Sequence, residues 1–175
     1  MDGLTEKFIR SNSIFNGKIL NLVCDTVQLP NGKEATREVV HHPGAVAVVP
    51  ILEDGCIVLV RQYRYPIGKI LLEIPAGKLE PEEDPDECAR RELKEETGYI
   101  AGTIKKLTAI YTTPGFSNEV IHLYLALNMK LAEVCPDEDE FIKVETYSRS
   151  KIKAMIHDGL ITDAKTILGL LMAGL

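Results

Sequence analysis

Glu92, Glu95 and Glu96 stand at i, i+3 and i+4 in the stretch Arg91-Glu-Leu-Lys-Glu-Glu-Thr-Gly98. On a helix that spacing puts three carboxylates on one face, close together. Like charges so placed repel and lower helix stability unless a cation neutralises them. Hard oxygen donors of this kind suit Mg2+ or Mn2+, with waters and substrate phosphates completing the shell. The competing reading is an ordinary solvated charged face, which is what most glutamate-rich helix surfaces are.

The flanking residues decide between the two. Gly77 is followed after five residues by Glu83, and after seven more by Arg91-Glu92-Leu93-Lys94-Glu95-Glu96-Thr97-Gly98 and the apolar Tyr99. At every fixed position this run resembles the box of the Nudix hydrolases. The resemblance implies that Glu92, Glu95 and Glu96 are metal ligands with a catalytic role, joined by the backbone carbonyl of Ala76. It also implies that Glu83 and Arg91 pair to hold the loop to the helix. The implied fold is an α/β (α+β) one: an α/β/α sandwich around a mixed sheet, reached over residues 43 to 150.

The elements that must position these residues have their own signals. Asp84-Pro85-Asp86-Glu87 offers an N-cap carboxylate, a proline in the first turn and a capping-box glutamate, so a helix starts there. Cys88, Ala89 and Leu93 give it one apolar stripe, and Gly98 can take the left-handed cap conformation that ends it. Residues 18 to 29 and 35 to 41 flank Pro30-Asn31-Gly32-Lys33 and predict an antiparallel hairpin. Residues 45 to 52 and 56 to 63 predict a second strand pair around Glu53-Asp54-Gly55, and strands follow at 70 to 74, 104 to 111, 119 to 128 and 141 to 147. Arg149 to His157 and Asp163 to Met172 have helical patterns. Strands that arrive in hairpins, with few helices between them, favour a mixed sheet over a doubly wound parallel one.

Composition narrows the class. With 45% hydrophobic residues in 175, the chain can bury one substantial core. Its apolar runs are too short to span a bilayer, and the N-terminus lacks the pattern of a secretory signal, so no membrane association and a cytoplasmic location are expected. A net charge of −6 without a basic stripe argues against nucleic acid as partner. Cys24, Cys56, Cys88 and Cys135 are scattered without zinc-site spacing and read as buried free thiols. The expected division is an N-terminal hairpin region over 1–42 and a hydrolase domain over 43–175.

Within the family the chain resembles the bacterial ADP-ribose pyrophosphatases along nearly its whole length. The matching segments are the N-terminal hairpin, Arg37-Glu38, His42-Pro-Gly-Ala45, Gln62-Tyr-Arg64, Leu72-Glu-Ile-Pro-Ala-Gly77 and Thr113-Pro-Gly115. Pro114 could equally serve an ordinary Pro-Gly turn. The resemblance implies a homodimer whose N-terminal strands help build the partner's adenosine site. It places the catalytic base in the acidic loop Asp137-Glu-Asp-Glu140, at Glu140, with Glu138 as the alternative; a solvated loop is the plain reading. Glu73 is implied to shape the substrate and metal site, against a strand-end ion pair. Arg37 and Arg64 are substrate-binding candidates because a guanidinium can hold phosphate oxygens through two parallel hydrogen bonds; each could instead be a surface arginine. Gly115 joins them as a substrate contact. His41 and His42 precede a Pro-Gly turn and receive no catalytic role.

The expected reaction is hydrolysis of the pyrophosphate bond of ADP-ribose, or of a similar nucleotide sugar, to AMP and ribose 5-phosphate. Mg2+ (or Mn2+) is the expected cofactor, and water deprotonated by Glu140 the nucleophile, since no Ser-His-Asp or Cys-His constellation is visible around the motif. Three other readings differ in class or substrate. One is a hydrolase of another nucleotide sugar or a dinucleotide. Another is a sensor that binds ADP-ribose without cleaving it, which the intact box disfavours. The last is a scaffold, which leaves the clustered glutamates without a purpose.

Overall fold

The computed structural model describes residues 3–132 and 141–175, and within them the chain divides into two compact units. One comprises Met1–Gly44 with Tyr111–Val120, the other Ala45–Ile110 with Ile121–Leu175.

The first unit is built on an antiparallel sheet of three strands in the order β1 (Lys7–Asn16), β2 (Asn21–Gln28), β3 (Glu34–His41). The expected hairpin is β2–β3. Its turn closes through Leu29 N–H to Lys33 O at 2.8 Å, with the Asn31 side chain accepting from Lys33 N–H and Gly32 at φ 83°. The sequence reading did not include β1. All ten of its residues are exposed and its register shifts twice, between Phe8 and Arg10 and between Ser13 and Phe15, so no buried face imposes a period of two. Residues of the 111–120 segment bond to the end of β3: Val40 N–H donates to Phe116 O, and Asn118 N–H to Val40 O. Asn118 Oδ1 accepts from His42 N–H at 2.8 Å.

In the second unit β4 (Ala45–Pro50) is central. It runs parallel to β9 (Val120–Leu131) and antiparallel to β7 (Ala76–Lys78), in the four-stranded order β7-β4-β9-β8 with β8 at Tyr99–Tyr111. A further sheet orders β10 (Ile142–Tyr147), β5 (Ile57–Arg64) and β6 (Lys69–Glu73), all antiparallel. Alternation along β4 divides the core. Val46 and Val48 pack with Cys88, Ala89 and Leu93 of helix α1 (Pro85–Thr97). Ala47 and Val49 face the other way, into a cluster with Ile152 and Met155 of α2 (Arg149–His157) and Leu170 of α3 (Ala164–Met172). A strand buried on both faces reads as a continuous apolar run, which is why Ala45-Val-Ala-Val-Val shows no polar alternation. The result is the expected helix-sheet-helix sandwich around a mixed sheet.

Helix α1 starts and stops where its caps predict. Asp84 accepts from Asp86 N–H at 2.8 Å, and Gly98 at φ 70° returns its N–H to Lys94 O. The reciprocal bond from Glu87 that a capping box supplies is absent among the described residues. Cys24, Cys56 and Cys88 are free, but only Cys88 is fully buried; Cys135 lies outside the described residues. Among the described residues no helix is long and apolar enough to cross a membrane.

Candidate active site

The site is assembled where β7 passes beneath α1. Gly77 is the contact point: a Cβ there would lie 1.9 Å from Cδ of Glu92 and 2.0 and 2.1 Å from its two oxygens. Only glycine leaves room for this carboxylate, which gives the first position of the box a steric reason. One residue earlier, Ala76 N–H donates to Oε2 of Glu96 at 3.0 Å.

Glu92 and Glu96 are 9% and 5% exposed, so the helix face they share is no solvated charged surface. Burying carboxylates is costly unless each is paired and hydrogen-bonded. Much of the compensation comes from Arg91. Its Nη1 donates to Glu92 Oε1 at 2.8 Å and to Glu95 Oε2 at 2.9 Å, while Nε and Nη2 fork onto the two oxygens of Glu83 at 2.8 and 2.9 Å. The pairing of Glu83 with Arg91 agrees with the sequence reading; the second grip of Arg91, on two of the three clustered glutamates, was not in it. Those hydrogen bonds hold the Glu83 carboxyl down at about 2 and raise the Arg91 guanidinium above its ordinary range.

A pH dependence follows. Glu83 ionises at 4.5 when unperturbed and at about 2 in the fold, so its stabilisation is complete above the former value and is lost as pH falls through the latter. Glu145, held at about 2 first by Arg61 and then by Tyr147, adds to the same window. Chemical denaturation between pH 5 and 2 is expected to show a smaller loss of stability in Glu83→Gln than in the unmodified protein. Equal slopes would mean that Glu83 is not a source of the acid sensitivity.

A second charged group lies in the same unit. Glu73, 1% exposed at the end of β6, accepts both arms of Arg64 from β5, Nε and Nη2, at 2.8 Å each, and also the ammonium of Lys165. Burial pushes the Glu73 carboxyl up, but the Arg64 fork and Lys165 outweigh it and leave the group below its usual range. Glu73 in turn raises Arg64, with smaller additions from the charges of Glu96 and Asp163. Arg64 is 37% exposed and therefore accessible from solvent while its fork is engaged.

The remaining sequence candidates are placed as follows. Arg37, in the first unit, gives Nε and Nη2 to Glu6 and Nη1 to Thr36 O. Gly115 follows Pro114 in a turn closed by Phe116 N–H and Ser117 N–H on Thr113 O, and a Cβ there would meet nothing within 4 Å. His42 Nδ1 accepts from Gly44 N–H at 3.1 Å and lies 3.6 Å from Glu119 Oε1. This is a turn role for His42. Glu138 and Glu140 lie outside the described residues. Lys165, Asp163 and Thr166 were missed as site residues; only the helical pattern of Asp163 to Met172 was legible, because their partners are far away in sequence.

Whether these residues fit a divalent ion rests on donor chemistry and space. The donors are hard oxygens, two of the three glutamates are buried, and the absent side chain of Gly77 makes the room that the Glu92 carboxylate fills. The Arg91 guanidinium between Glu92 and Glu95 shows that this face draws in positive charge. Among the described residues no three His, Cys, Asp or Glu side chains converge at metal-ligand spacing. Glu92 and Glu95 are drawn to Arg91 and Glu96 to Ala76 N–H, so the set fits a cation by its donor chemistry, with its carboxylates turned to other partners.

With this geometry in place, comparison with known proteins is informative. Residues 41–167 match the NUDIX domain, and residues 6–40 match the nucleoside diphosphate sugar hydrolase N-terminal domain. The chain is 45% identical over 168 residues to the ADP-ribose pyrophosphatase of Bacillus subtilis (strain 168), covering 95% of this chain and 91% of that protein. It is also 45% identical over 165 residues to the methanol dehydrogenase activator of Bacillus methanolicus, covering 93% and 89%. A crystal structure titled as an ADP compounds hydrolase superposes with a TM-score of 0.85 at 20% identity, over 97% of this chain and 93% of that one, and agrees in fold. The box around Gly77 and Glu92, the sandwich that carries it and these matches together place the chain in the Nudix family.

Proposed function

We propose that this Nudix pyrophosphohydrolase cleaves the pyrophosphate bond of ADP-ribose to AMP and ribose 5-phosphate. The observation that carries the reading is the pair of buried carboxylates, Glu92 and Glu96, seated against Gly77 and Ala76 in the same unit as the Arg64–Glu73 fork. A catalytic face for phosphate chemistry needs clustered hard oxygens and a nearby guanidinium, and both are here. The high identity to a relative named for ADP-ribose supports that substrate over other nucleotide sugars.

Glu92, Glu95 and Glu96, with the carbonyl of Ala76, would hold a divalent ion, Mg2+ or Mn2+. Bound there, such an ion supplies Lewis-acid neutralisation of the diphosphate. Arg64 holds phosphate or ribose oxygens with its plane fixed by Glu73. Glu140 takes a proton from the attacking water, with Glu138 the neighbouring alternative, and the bridging oxygen leaves on one of the two products. For Arg37 and Gly115 a substrate-binding role rests on the sequence. The protein works in the cytoplasm as a homodimer, without nucleic acid or membrane.

The test is AMP release from ADP-ribose with Mg2+, for the unmodified protein and Glu140→Gln. A positioned general base is worth roughly 10²–10⁴-fold, and a loss of that size is expected. Turnover of other nucleotide sugars or dinucleotides but not ADP-ribose would move the substrate and keep the chemistry. A second reading comes from the relative named as an activator of another enzyme. Tight ADP-ribose binding without turnover would favour that regulatory role.

A further inference from the structure

The N-terminus of α3 is fastened to the strand end that leads into the box. Asp163 caps the helix: its Oδ2 accepts from Thr166 N–H at 2.9 Å and from Thr166 Oγ1 at 2.6 Å. Thr166, fully buried, accepts in turn from Ile74 N–H at 2.9 Å. Gly169, one helical turn on, packs so closely that a Cβ would meet Ile74 Cδ1 at 3.0 Å and Val49 Cγ2 at 3.2 Å. Between the cap and the threonine stands Lys165, 14% exposed, whose ammonium touches Glu73 Oε2 and lies 3.1 Å from Asp163 Oδ1.

Glu73, itself buried, therefore receives three donors on two oxygens. A two-point fork draws a guanidinium toward the plane of the carboxylate it grips, so whatever fixes the orientation of Glu73 constrains Arg64. Arg64 contributes one edge, from β5. Lys165 contributes a further contact, from a different element, on Oε2, the oxygen that also takes Arg64 Nη2, and Asp163 holds the ammonium there. Nη1 of Arg64 makes no hydrogen bond among the described residues and is the edge left for an anion.

We propose that Lys165 is a positioning residue: through Glu73 it sets the orientation in which Arg64 meets an anionic substrate oxygen. The inference rests on the reading of Arg64 as a substrate-binding residue. Asp163 anchors Lys165, and Thr166, bonded to Asp163, holds α3 to Ile74.

Two measurements test this on the full-length protein. One, needing no substrate, is hydrogen exchange at the Arg64 Nε–H in arginine-labelled protein, its signal identified by its disappearance in Arg64→Lys. The other separates KM from kcat for AMP release from ADP-ribose. Lys165→Met is expected to speed the exchange roughly tenfold and raise KM by a similar factor, with kcat changed less than about threefold. Lys165→Arg, which keeps a cation, should recover most of both. Thr166→Val loses the Ile74 bond and the hydroxyl bond to Asp163 but keeps the backbone N–H on that cap and both charges, so it should lower Tm and move KM and exchange much less than Lys165→Met. If Lys165→Met does not fold, Asp163→Asn keeps a good helix cap while removing the anchor, and a smaller shift of the same sign is expected. Unchanged exchange in Lys165→Met, or in Asp163→Asn where that variant stands in, overturns the proposal; so does an equal KM effect in Thr166→Val, which would make Lys165 merely structural. Altered Arg64 exchange in an enzyme that never released AMP would instead sink the ADP-ribose reading and leave the positioning role standing.

Discussion

Glu96→Gln is expected to lower kcat for AMP release from ADP-ribose on the order of 10²–10³-fold, with little change in Tm. The two parts of that expectation come from different properties of one side chain. Glutamine has the same length and keeps a carbonyl oxygen, so it can still accept the hydrogen bond that Ala76 N–H gives to Glu96 at 3.0 Å. It loses the negative charge, which is what the chemistry requires of a cation-holding residue. At 5% exposure that charge is expensive to bury, and a structural protein would gain little by keeping it. Steady-state kinetics with Mg2+ held in excess, next to a thermal melt, separates the two effects. Near-normal kcat in a folded Glu96→Gln would remove Glu96 from the catalytic set. A large fall in Tm without a fall in the activity of the folded fraction would make it a packing residue.

The same residues show why some of the site was legible in the sequence and some was not. The three glutamates and Arg91 are fixed by spacing on one helix, so their neighbourhood follows from helical geometry, while Gly77 on β7 and Glu83 in the loop were placed by the resemblance. The ends of α1 follow from Asp84 and Gly98, whose effects are equally local. By contrast, Lys165 meets Glu73, and Thr166 meets Ile74, across 92 residues. Only the packing of α3 onto β4 brings them together, and nothing in the local pattern of Asp163-Ala-Lys-Thr166 distinguishes that role from an ordinary cap. Strand β1 was lost for the opposite reason: with every residue exposed it has no apolar alternation to read. The repulsion among Glu92, Glu95 and Glu96 also carries less weight than spacing alone suggested, since Arg91 already neutralises part of it. Burial of Glu92 and Glu96, invisible in the sequence, is the stronger sign that this face has a purpose.

Gly77→Ala tests that seat directly and is expected to cost about 10²-fold in kcat while destabilising the fold by about 1–3 kcal/mol. The new methyl would stand 1.9 to 2.1 Å from three atoms of the Glu92 carboxyl group, a separation that cannot persist. Something must move, and the end of a side chain yields more cheaply than the β7 backbone, which is paired to β4 at this point. Glu92 is thus displaced, breaking its contact with Arg91 Nη1, and a shift of about 1 Å in a catalytic group is enough for the expected loss. A cycle with Glu92→Ala identifies the cause. If both substitutions act on the same carboxylate, the double variant is hardly slower than Glu92→Ala, because there is no longer anything for the methyl to push aside. Losses that simply multiply would mean that Gly77 serves the reaction in some other way, through the backbone of Ala76 and Lys78 beside it.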